Sequence, residues 1–233
     1  MAHKVNPILV LDFETGGLSG QKDAVTEVGM LCVTGDTFTE IGRYSSFIRP
    51  YLYNYDPKAL TYTNTTLEKL QTLGQDIEVV AKEMHTNLQK WYQETTNSYT
   101  KKMCVVGHNI QFDIAFLQQL GKEGKVDWAK FIDGEQDFYG KWYPNYIDTL
   151  NFSKLVWGND TNFTSFKLTN CVEKAGVSIG DAHSALQDVI ATKELLINFV
   201  NRLRSSDGLG GVGEKKDIRF REGFHFQMPE PQK

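Results

Sequence analysis

Two acidic residues stand at the end of an apolar segment near the start of the chain. Asp12 and Glu14 follow Ile8 and Val10 at alternate positions, and alternate residues of a β-strand lie on the same face of a sheet. Two anions in a half-buried place repel each other unless a positive charge lies between them. The pair is therefore interpreted as part of a cation site, and the alternative is a strand that ends there with both side chains in water.

Two further acids stand near the predicted starts of helices. In the segment GHNIQFD, an N-cap at Asn109 places Asp113 at the fourth helical position, near the positive end of the helix dipole. Ser184 and Gln187 have the spacing of a capping box, so Asp188 is also a fourth helical residue. Taken singly, Asp113 could be an ordinary acid of a first helical turn.

His183 directly precedes the second of these helices. On one continuous helix, side chains five residues apart would point about 140° apart. A helix that begins at Ser184 leaves His183 in the preceding loop, where it can turn towards Asp188. The alternative for a single histidine is a hydrogen-bonded structural role.

The four carboxylates could form one site. If they converge, two divalent cations would neutralise them, and ligation by oxygen alone favours Mg²⁺ or Mn²⁺ over zinc. Paired metals held by carboxylates hydrolyse phosphodiesters. If the acids converge, the residues thus fit a metal-dependent phosphodiesterase.

The elements that must position these residues follow an α/β pattern. Strand character at residues 8–12, 25–33 and 44–48 predicts an antiparallel meander, and strands at 104–107 and 146–150 follow. The spacing of apolar residues predicts helices over 65–95 with a break at Gly74, from Asn109 to just before Gly121, over 165–175 with a stop at Gly176, and over 184–204. Antiparallel strands followed by strand-helix units predict a mixed sheet flanked by helices.

The composition is that of a folded domain. The 233 residues include 25 Lys and Arg against 29 Asp and Glu, giving a net charge of −4, and 40% are apolar. These values exclude a disordered chain and a globally basic nucleic-acid surface. No apolar segment has the length of a membrane span or a signal peptide, so we expect a soluble, cytoplasmic protein with no membrane partner. The three cysteines have no CxxC spacing, which predicts reduced thiols.

The composition changes after residue 204. The segment SSDGLGGVGEKK is typical of a flexible linker, and IRFREGFHF after it is basic and aromatic. We therefore expect a domain at residues 1–204 and a linker and tail at 205–233. The tail could bind a nucleic-acid strand or a partner protein, or lie as an extended peptide on its own domain. The aromatic segment 127–146 is either an insertion on the substrate side or a surface loop packed by its own rings.

Three motifs carry a resemblance to a known family. DFETGGL at 12–18, GHNIQFDIAFL at 107–117 and AHSALQDVIAT at 182–192 resemble, in that order, the motifs of the DEDDh 3′-to-5′ exonucleases, and in particular the proofreading type of the DNA polymerase III epsilon subunit. The resemblance covers residues 5–204 and is supported by Glu27, by FIRP at 47–50, by DTL at 148–150 and by KL at 167–168. Gly17 and Ser184 depart from the pattern where other residues are frequent, which leaves the subfamily open.

The resemblance implies a ribonuclease-H-like fold and a role for each motif residue. Asp12, Glu14 and Asp188 would hold the metal ion that carries the attacking water, Asp12 would bridge to a second ion, and Asp113 would act mainly through water. His183 would be the general base, because an imidazole with a pKa near 6.5 accepts a proton at neutral pH.

Three residues match positions that contact the terminal nucleotide in relatives. They are Thr15, Leu18 and Phe112. An apolar wedge and an aromatic face bind any base by stacking, which favours single-stranded or frayed ends. The alternatives are turn packing for Leu18 and helix-core packing for Phe112, and Asn109 is interpreted as a cap.

The sequence leaves three functions open. The first is a metal-dependent 3′-5′ exonuclease on DNA that releases nucleoside 5′-monophosphates, free or as a proofreader bound to a DNA polymerase or replication factor through the tail. The second is the same chemistry on RNA, resembling ribonuclease T or oligoribonuclease. The third is a scaffold with the same fold and no turnover. The five filled catalytic positions argue against the third.

Overall fold

A single mixed sheet forms the centre of the protein. The computed structural model describes residues 6–95, 102–177 and 184–205. The strands are β1 (Pro7–Thr15), β2 (Val25–Thr34), β3 (Glu40–Phe47), β4 (Cys104–Gly107), β5 (Gly134–Gln136), β6 (Trp142–Pro144) and β7 (Tyr146–Asp148). The helices are α1 (Pro57–Tyr62), α2 (Leu67–Leu73), α3 (Ile77–Thr95), α4 (Ile110–Gly124), α5 (Thr149–Trp157), α6 (Leu168–Lys174) and α7 (Ala185–Ser205), with a 3₁₀ turn at Trp128–Lys130.

The strand order of the main sheet is β3-β2-β1-β4-β7. The first three strands pair antiparallel, whereas β4 pairs parallel with both β1 and β7. A parallel connection needs a long crossover, which the helices between these strands supply. The predicted meander followed by parallel strands is therefore confirmed, and the fold is ribonuclease-H-like.

Helices cover both faces of the sheet. Leu9, Leu11 and Phe13 of β1 pack in the cluster that includes α3 and α4, whereas Val10 packs in the cluster that includes Val189 of α7. The alternation follows from the two-residue period of a strand. The even-numbered residues of β1 thus belong to the α7 side, which is the side on which Asp12 and Glu14 continue.

Several elements differ from the sequence prediction. Helix α5 (Thr149–Trp157) was not predicted, and it begins within the expected strand 146–150. Helix α4 runs past Gly121 to Gly124 and ends at Lys125, whose φ of 53° is left-handed. Gly121 lies inside the helix and does not end it. Glycine is required there by packing, because a Cβ would be 2.6 Å from Nε1 of Trp128. Helix α1 was not predicted, although its signal is present, since the Asp56 carboxylate accepts from the Lys58 N–H at 2.8 Å and a proline follows the cap.

The aromatic segment 127–146 forms a small hairpin. Strands β5 and β6 pair with each other, and β6 leads directly into the start of β7. Strands β4 and β7 run parallel to β1. Their first residues therefore lie at the end of the sheet opposite to Asp12 and Glu14. The base of the hairpin is therefore away from the acidic pair, which argues against an insertion on the substrate side.

Other properties concern the described residues only. None of their helices has the length and apolarity needed to cross a membrane. All three cysteines are free thiols; Cys32 and Cys171 are buried and Cys104 is half-buried, which agrees with the prediction. The tail after Ser205 lies outside the described residues, so the domain boundary stays a prediction.

Candidate active site

The first two carboxylates lie near the carboxyl end of the central strand β1, and this end of the sheet is called the acidic edge below. The strand continues to Thr15, beyond its predicted end, so Asp12 and Glu14 lie within it and opposite Gly29 and Glu27 of β2. On its other side, β1 pairs with β4 only over Ile8–Val10. The acidic part of β1 therefore extends beyond its parallel neighbour.

Helix α7 brings the third carboxylate to this edge. A Cβ on Gly29 would lie 2.3 Å from the carbonyl oxygen of Ala185, so the start of α7 lies directly against the backbone of β2. The Ser184 hydroxyl accepts from the Gln187 N–H at 3.3 Å, which confirms the predicted cap. One oxygen each of Asp12, Glu14 and Asp188 lies within 4.8 Å of the others.

Helix α4 supplies the fourth carboxylate from the other side of β1. Asp113 is 3% exposed, and its Oδ1 accepts from the backbone N–H of Phe13 at 2.9 Å. Because β4 ends at Gly107, the side chain of Asp113 satisfies a β1 donor that a longer neighbouring strand would have used. The structure thus places all four predicted acids around one edge.

The start of α4 differs from the prediction in its cap. Asn109 occupies the cap position, but its backbone is left-handed, with φ 66°, and its side chain forms no capping hydrogen bond. Its N–H instead donates to Oδ1 of Asp148 at 2.9 Å, and the same oxygen accepts from Leu150 N–H at 2.9 Å. Asp148 therefore caps α5 and also holds the start of α4. The left-handed backbone at position 109 is one that asparagine tolerates better than most residues.

The carboxylates hold their protons more tightly than isolated acids do. Burial, and then the charges of Asp113 and Asp188, raise the pKa of Asp12 well above its usual range. Burial is also the main cause that raises the pKa of Asp113 and that raises the pKa of Glu14 and of Glu27 to about 7. This crowding of anions is relieved by a divalent cation, so hard oxygen ligands at this spacing fit a metal.

The acids line a cavity of about 280 Å³. His108 also lines it, with Nε2 2.7 Å from the Phe166 carbonyl oxygen and Nδ1 3.0 Å from the Thr149 hydroxyl. Burial lowers the pKa of His108, and both nitrogens of its ring are within hydrogen-bond distance of other groups of the protein. The lining residues are Asp12, Phe13, Glu14, Tyr62, His108, Asn109, Phe112, Asp113, Lys167, Leu168, Thr169 and Asp188. Among these, sequence reasoning gave no role to Tyr62, His108 or Lys167, although the GHN and KL segments contain the last two.

The three predicted nucleotide contacts have different surroundings. Thr15 is buried, and its hydroxyl donates to the Gly17 carbonyl oxygen at 2.7 Å, which stabilises the turn after β1. Leu18 is 87% exposed, so packing within the turn does not explain it. Phe112 lines the cavity and also lies 5.0 Å from the Phe116 ring, centre to centre. Its cavity and core roles therefore coexist.

The departure at Gly17 has a local physical cause. A Cβ at this position would be 2.4 Å from the carboxylate of Asp23. That carboxylate accepts from the Ser19 N–H at 2.8 Å and so closes the turn. A larger residue at 17 would displace Asp23.

His183, the predicted base, lies outside the described residues.

Comparison with known proteins decides the family. The profile of a family described as exonuclease matches residues 9–196 of the chain. The chain belongs to this exonuclease family. The match includes Asp12, Glu14, Asp113 and Asp188, and it confirms the resemblance that the three motifs carried. The family and the acidic cluster together fit the use of a divalent metal.

The relatives of this family member are longer than the chain. A DNA polymerase III of the PolC type from Thermotoga maritima is 28% identical over 211 residues, which are 91% of this chain and 13% of the relative. E. coli exonuclease I in complex with a dT13 oligonucleotide superposes with a TM-score of 0.66 at 19% identity, over 85% of this chain and 42% of that chain. Its zinc-bound form with single-stranded DNA gives a TM-score of 0.68 at 20% identity, over 86% and 41%. The chain thus spans less than half of each, and the structural similarity supports the ribonuclease-H-like fold.

Proposed function

We propose that the chain is a metal-dependent 3′-5′ exonuclease that removes nucleoside 5′-monophosphates from single-stranded or frayed 3′ ends of DNA. The observation that carries the proposal is the approach of Asp12, Glu14 and Asp188 to within 4.8 Å in a member of the exonuclease family. DNA is favoured over RNA because the relatives are named as a DNA polymerase and as an exonuclease bound to DNA oligonucleotides.

The metal set follows from the ligands. Asp12, Glu14 and Asp188 would hold one ion, and by the family resemblance Asp12 would also help to hold a second ion and Asp113 would act mainly through water. Carboxylate oxygens alone favour Mg²⁺ or Mn²⁺. When bound, such ions supply Lewis acidity towards the phosphate and lower the pKa of water.

His183 is proposed as the general base. It accepts a proton from the water whose oxygen attacks phosphorus. The bond from phosphorus to the 3′ oxygen of the preceding nucleotide breaks, and this oxygen takes up a proton from solvent to become the new 3′ hydroxyl. His183 stands one residue before Ser184, whose hydroxyl caps α7, and this places it in sequence beside the helix of Asp188. We expect His183→Ala to lower kcat by roughly two to four orders of magnitude.

The 3′ end would be held apart from its complement by Leu18 and Phe112. Leu18 is exposed enough to enter between bases, and the Phe112 ring lines the cavity. Both contacts are indifferent to base identity. The proposed role of Thr15 is to hold the turn that presents Leu18, since its hydroxyl is already bonded to Gly17.

A polymerase partner is the remaining part of the proposal. The PolC-type relative is a DNA polymerase of which the matched region is 13%, so a proofreading role fits this chain if it acts with a polymerase. The basic and aromatic tail at 205–233 is the segment proposed to make that contact.

The test is digestion of one sequence as single-stranded DNA and as RNA, labelled at either end, with Mg²⁺, Mn²⁺ or a chelator. Wild type is compared with Asp12→Ala and with Glu135→Ala, which removes an exposed carboxylate from the hairpin at the opposite edge of the sheet. We expect stepwise shortening of 5′-labelled DNA and immediate release of the label from 3′-labelled DNA. Asp12→Ala should show neither, and Glu135→Ala should match wild type.

Other outcomes would change the proposal in distinct ways. Faster digestion of RNA would make the chain an exoribonuclease. Full activity of Asp12→Ala, or of wild type in chelator, would contradict the metal site. No cleavage of either polymer with either metal would favour the scaffold.

A further inference from the structure

One wall of the acidic cavity is not formed by carboxylates. Tyr62, at the end of α1, and Lys167, just before α6, both line the cavity. The Lys167 ammonium lies 5.8 Å from the centre of the Tyr62 ring. Lys167 is the only lysine or arginine among the described residues that line the cavity, and the salt bridges of the described chain do not include it.

The position of Lys167 is fixed by its neighbour in sequence. The Phe166 carbonyl oxygen can only accept, so Nε2 of His108 carries the proton and donates to it over 2.7 Å. His108 follows the last residue of β4, and it therefore attaches the Lys167 segment to the edge of the sheet at which Asp113 enters the cavity. His108 is in this way a positioning residue for Lys167.

The position of Tyr62 is fixed by the loop after the acidic strand. The Asp56 N–H donates to the Gly16 carbonyl oxygen at 2.7 Å, and the Asp56 carboxylate caps α1. A Cβ on Gly16 would be 2.9 Å from the Asn54 carbonyl oxygen, so only glycine allows this approach. Tyr62, the last residue of α1, thereby lies at the cavity, and 64% of its surface is exposed to solvent.

We propose that Lys167 and Tyr62 form a substrate-binding wall, in which Lys167 binds a phosphate near the 3′ end of the strand and the Tyr62 ring stacks on a nucleoside. This inference rests on the proposed function. A cation beside an exposed aromatic ring is the combination that binds single strands without reading their sequence. A distance of 5.8 Å is at the outer limit of a cation-π contact, so the ammonium gives up little when it turns to a phosphate.

The negative charge of the cavity favours a basic residue in its wall. The cavity contains four carboxylates, and the whole chain has a net charge of −4. A phosphate backbone is repelled by such a surface wherever metal ions do not neutralise it. Lys167 supplies the one fixed positive charge among the described residues that line the cavity.

The experiment measures steady-state kinetics on single-stranded DNA and the binding of a labelled strand that ends in phosphorothioate linkages. Lys167→Met keeps the stem of the side chain and removes its charge. We expect KM to rise roughly ten- to a hundredfold, as for the loss of one charged hydrogen bond, with kcat changed less than about threefold. The slope of log affinity against log salt should fall by about 0.7, the value for one phosphate contact on a single strand.

Matched variants separate binding from folding. Lys167→Arg should recover most of the loss in KM, and Tyr62→Phe should bind more tightly than Tyr62→Ala, because phenylalanine keeps the stacking face. Lys90→Met removes a charge from the exposed face of α3 and should behave as wild type. Thermal unfolding should give the same midpoint for Lys167→Met and Lys90→Met.

The proposal and the proposed function fail in different ways. An unchanged KM and salt slope in Lys167→Met, while Asp12→Ala is inactive, would overturn the binding wall and leave the exonuclease intact. A fall in kcat together with the unfolding midpoint would also overturn it, because Lys167 would then be structural. A wild type that neither binds nor cleaves 3′ ends would remove the proposed function itself.

Discussion

At the scale of single residues, the crowded carboxylates determine how the metal-free protein responds to pH. Glu14 and Glu27 have pKa values of about 7 in the folded chain, whereas carboxyl groups of an unfolded chain titrate near 4. Between these values the folded state holds protons that the unfolded state has released. The free energy of unfolding of the metal-free protein should therefore fall as pH rises from about 4.5 to about 7.

This dependence is measured by denaturant unfolding in chelator across that pH range. Mg²⁺ should restore stability most at the upper end, since it binds the ionised form. Glu27→Gln should flatten the curve, and Glu173→Gln, which changes an exposed side chain of α6, should not. A metal-free stability that rises with pH through this range would contradict the burial of the carboxylates.

Leu18 offers a second prediction at the residue scale. Its side chain is 87% exposed, so Leu18→Ala should leave the thermal midpoint unchanged. If it opens base pairs at the 3′ end, the variant should lose activity on paired ends more than on single strands. Leu52→Ala is the matched control, because Leu52 is 97% exposed and lies outside the three motifs. An equal loss on both substrates would contradict a wedge.

At the scale of elements, the contact between β2 and α7 positions Asp188. A Cβ on Gly29 would lie 2.3 Å from the Ala185 carbonyl oxygen, which is backbone and cannot rotate away. Gly29→Ala should therefore displace the start of α7 and lower kcat, roughly a hundredfold for a shift of about 1 Å. Ser45→Ala changes the exposed residue that pairs with Gly29 on β3 and should retain wild-type kcat. Full activity of Gly29→Ala would show that the helix adjusts without cost to the site.

At the scale of the whole molecule, the tail and the domain should separate in their functions. Helix α7 ends at Ser205, so truncation after this residue keeps every described element. We expect the truncated chain to hydrolyse short single strands at nearly the wild-type rate and to bind a polymerase partner less well. Rates and polymerase binding would be compared for the full and truncated chains. Loss of hydrolysis and of stability together would mean that the tail belongs to the core.

Much of the architecture could be predicted because its signals are local. The meander, the break at Gly74 and the cap at Ser184 all depend on residues within a few positions of one another. Two of the failures occur where a distant contact overrides such a signal, whereas helix α1 was missed although its local cap is present. Gly121 was predicted to end the helix, but it is a packing position against Trp128. Asn109 was predicted to cap the helix with its side chain, but its backbone N–H donates to Asp148 instead.

The sequence by itself determined which acids to consider, since the period of a strand and two helix starts single out Asp12, Glu14, Asp113 and Asp188. Only the tertiary structure decided that these acids meet. Their approach depends on the contact of Gly29 with Ala185 and on the hydrogen bond from Phe13 to Asp113, which join residues about a hundred or more positions apart. The cavity wall of Lys167 and Tyr62 is likewise a product of folding, because two residues about a hundred positions apart share no local pattern. Periodicity and capping act over a few residues, whereas a site forms where the packing of whole elements leaves backbones close enough to touch.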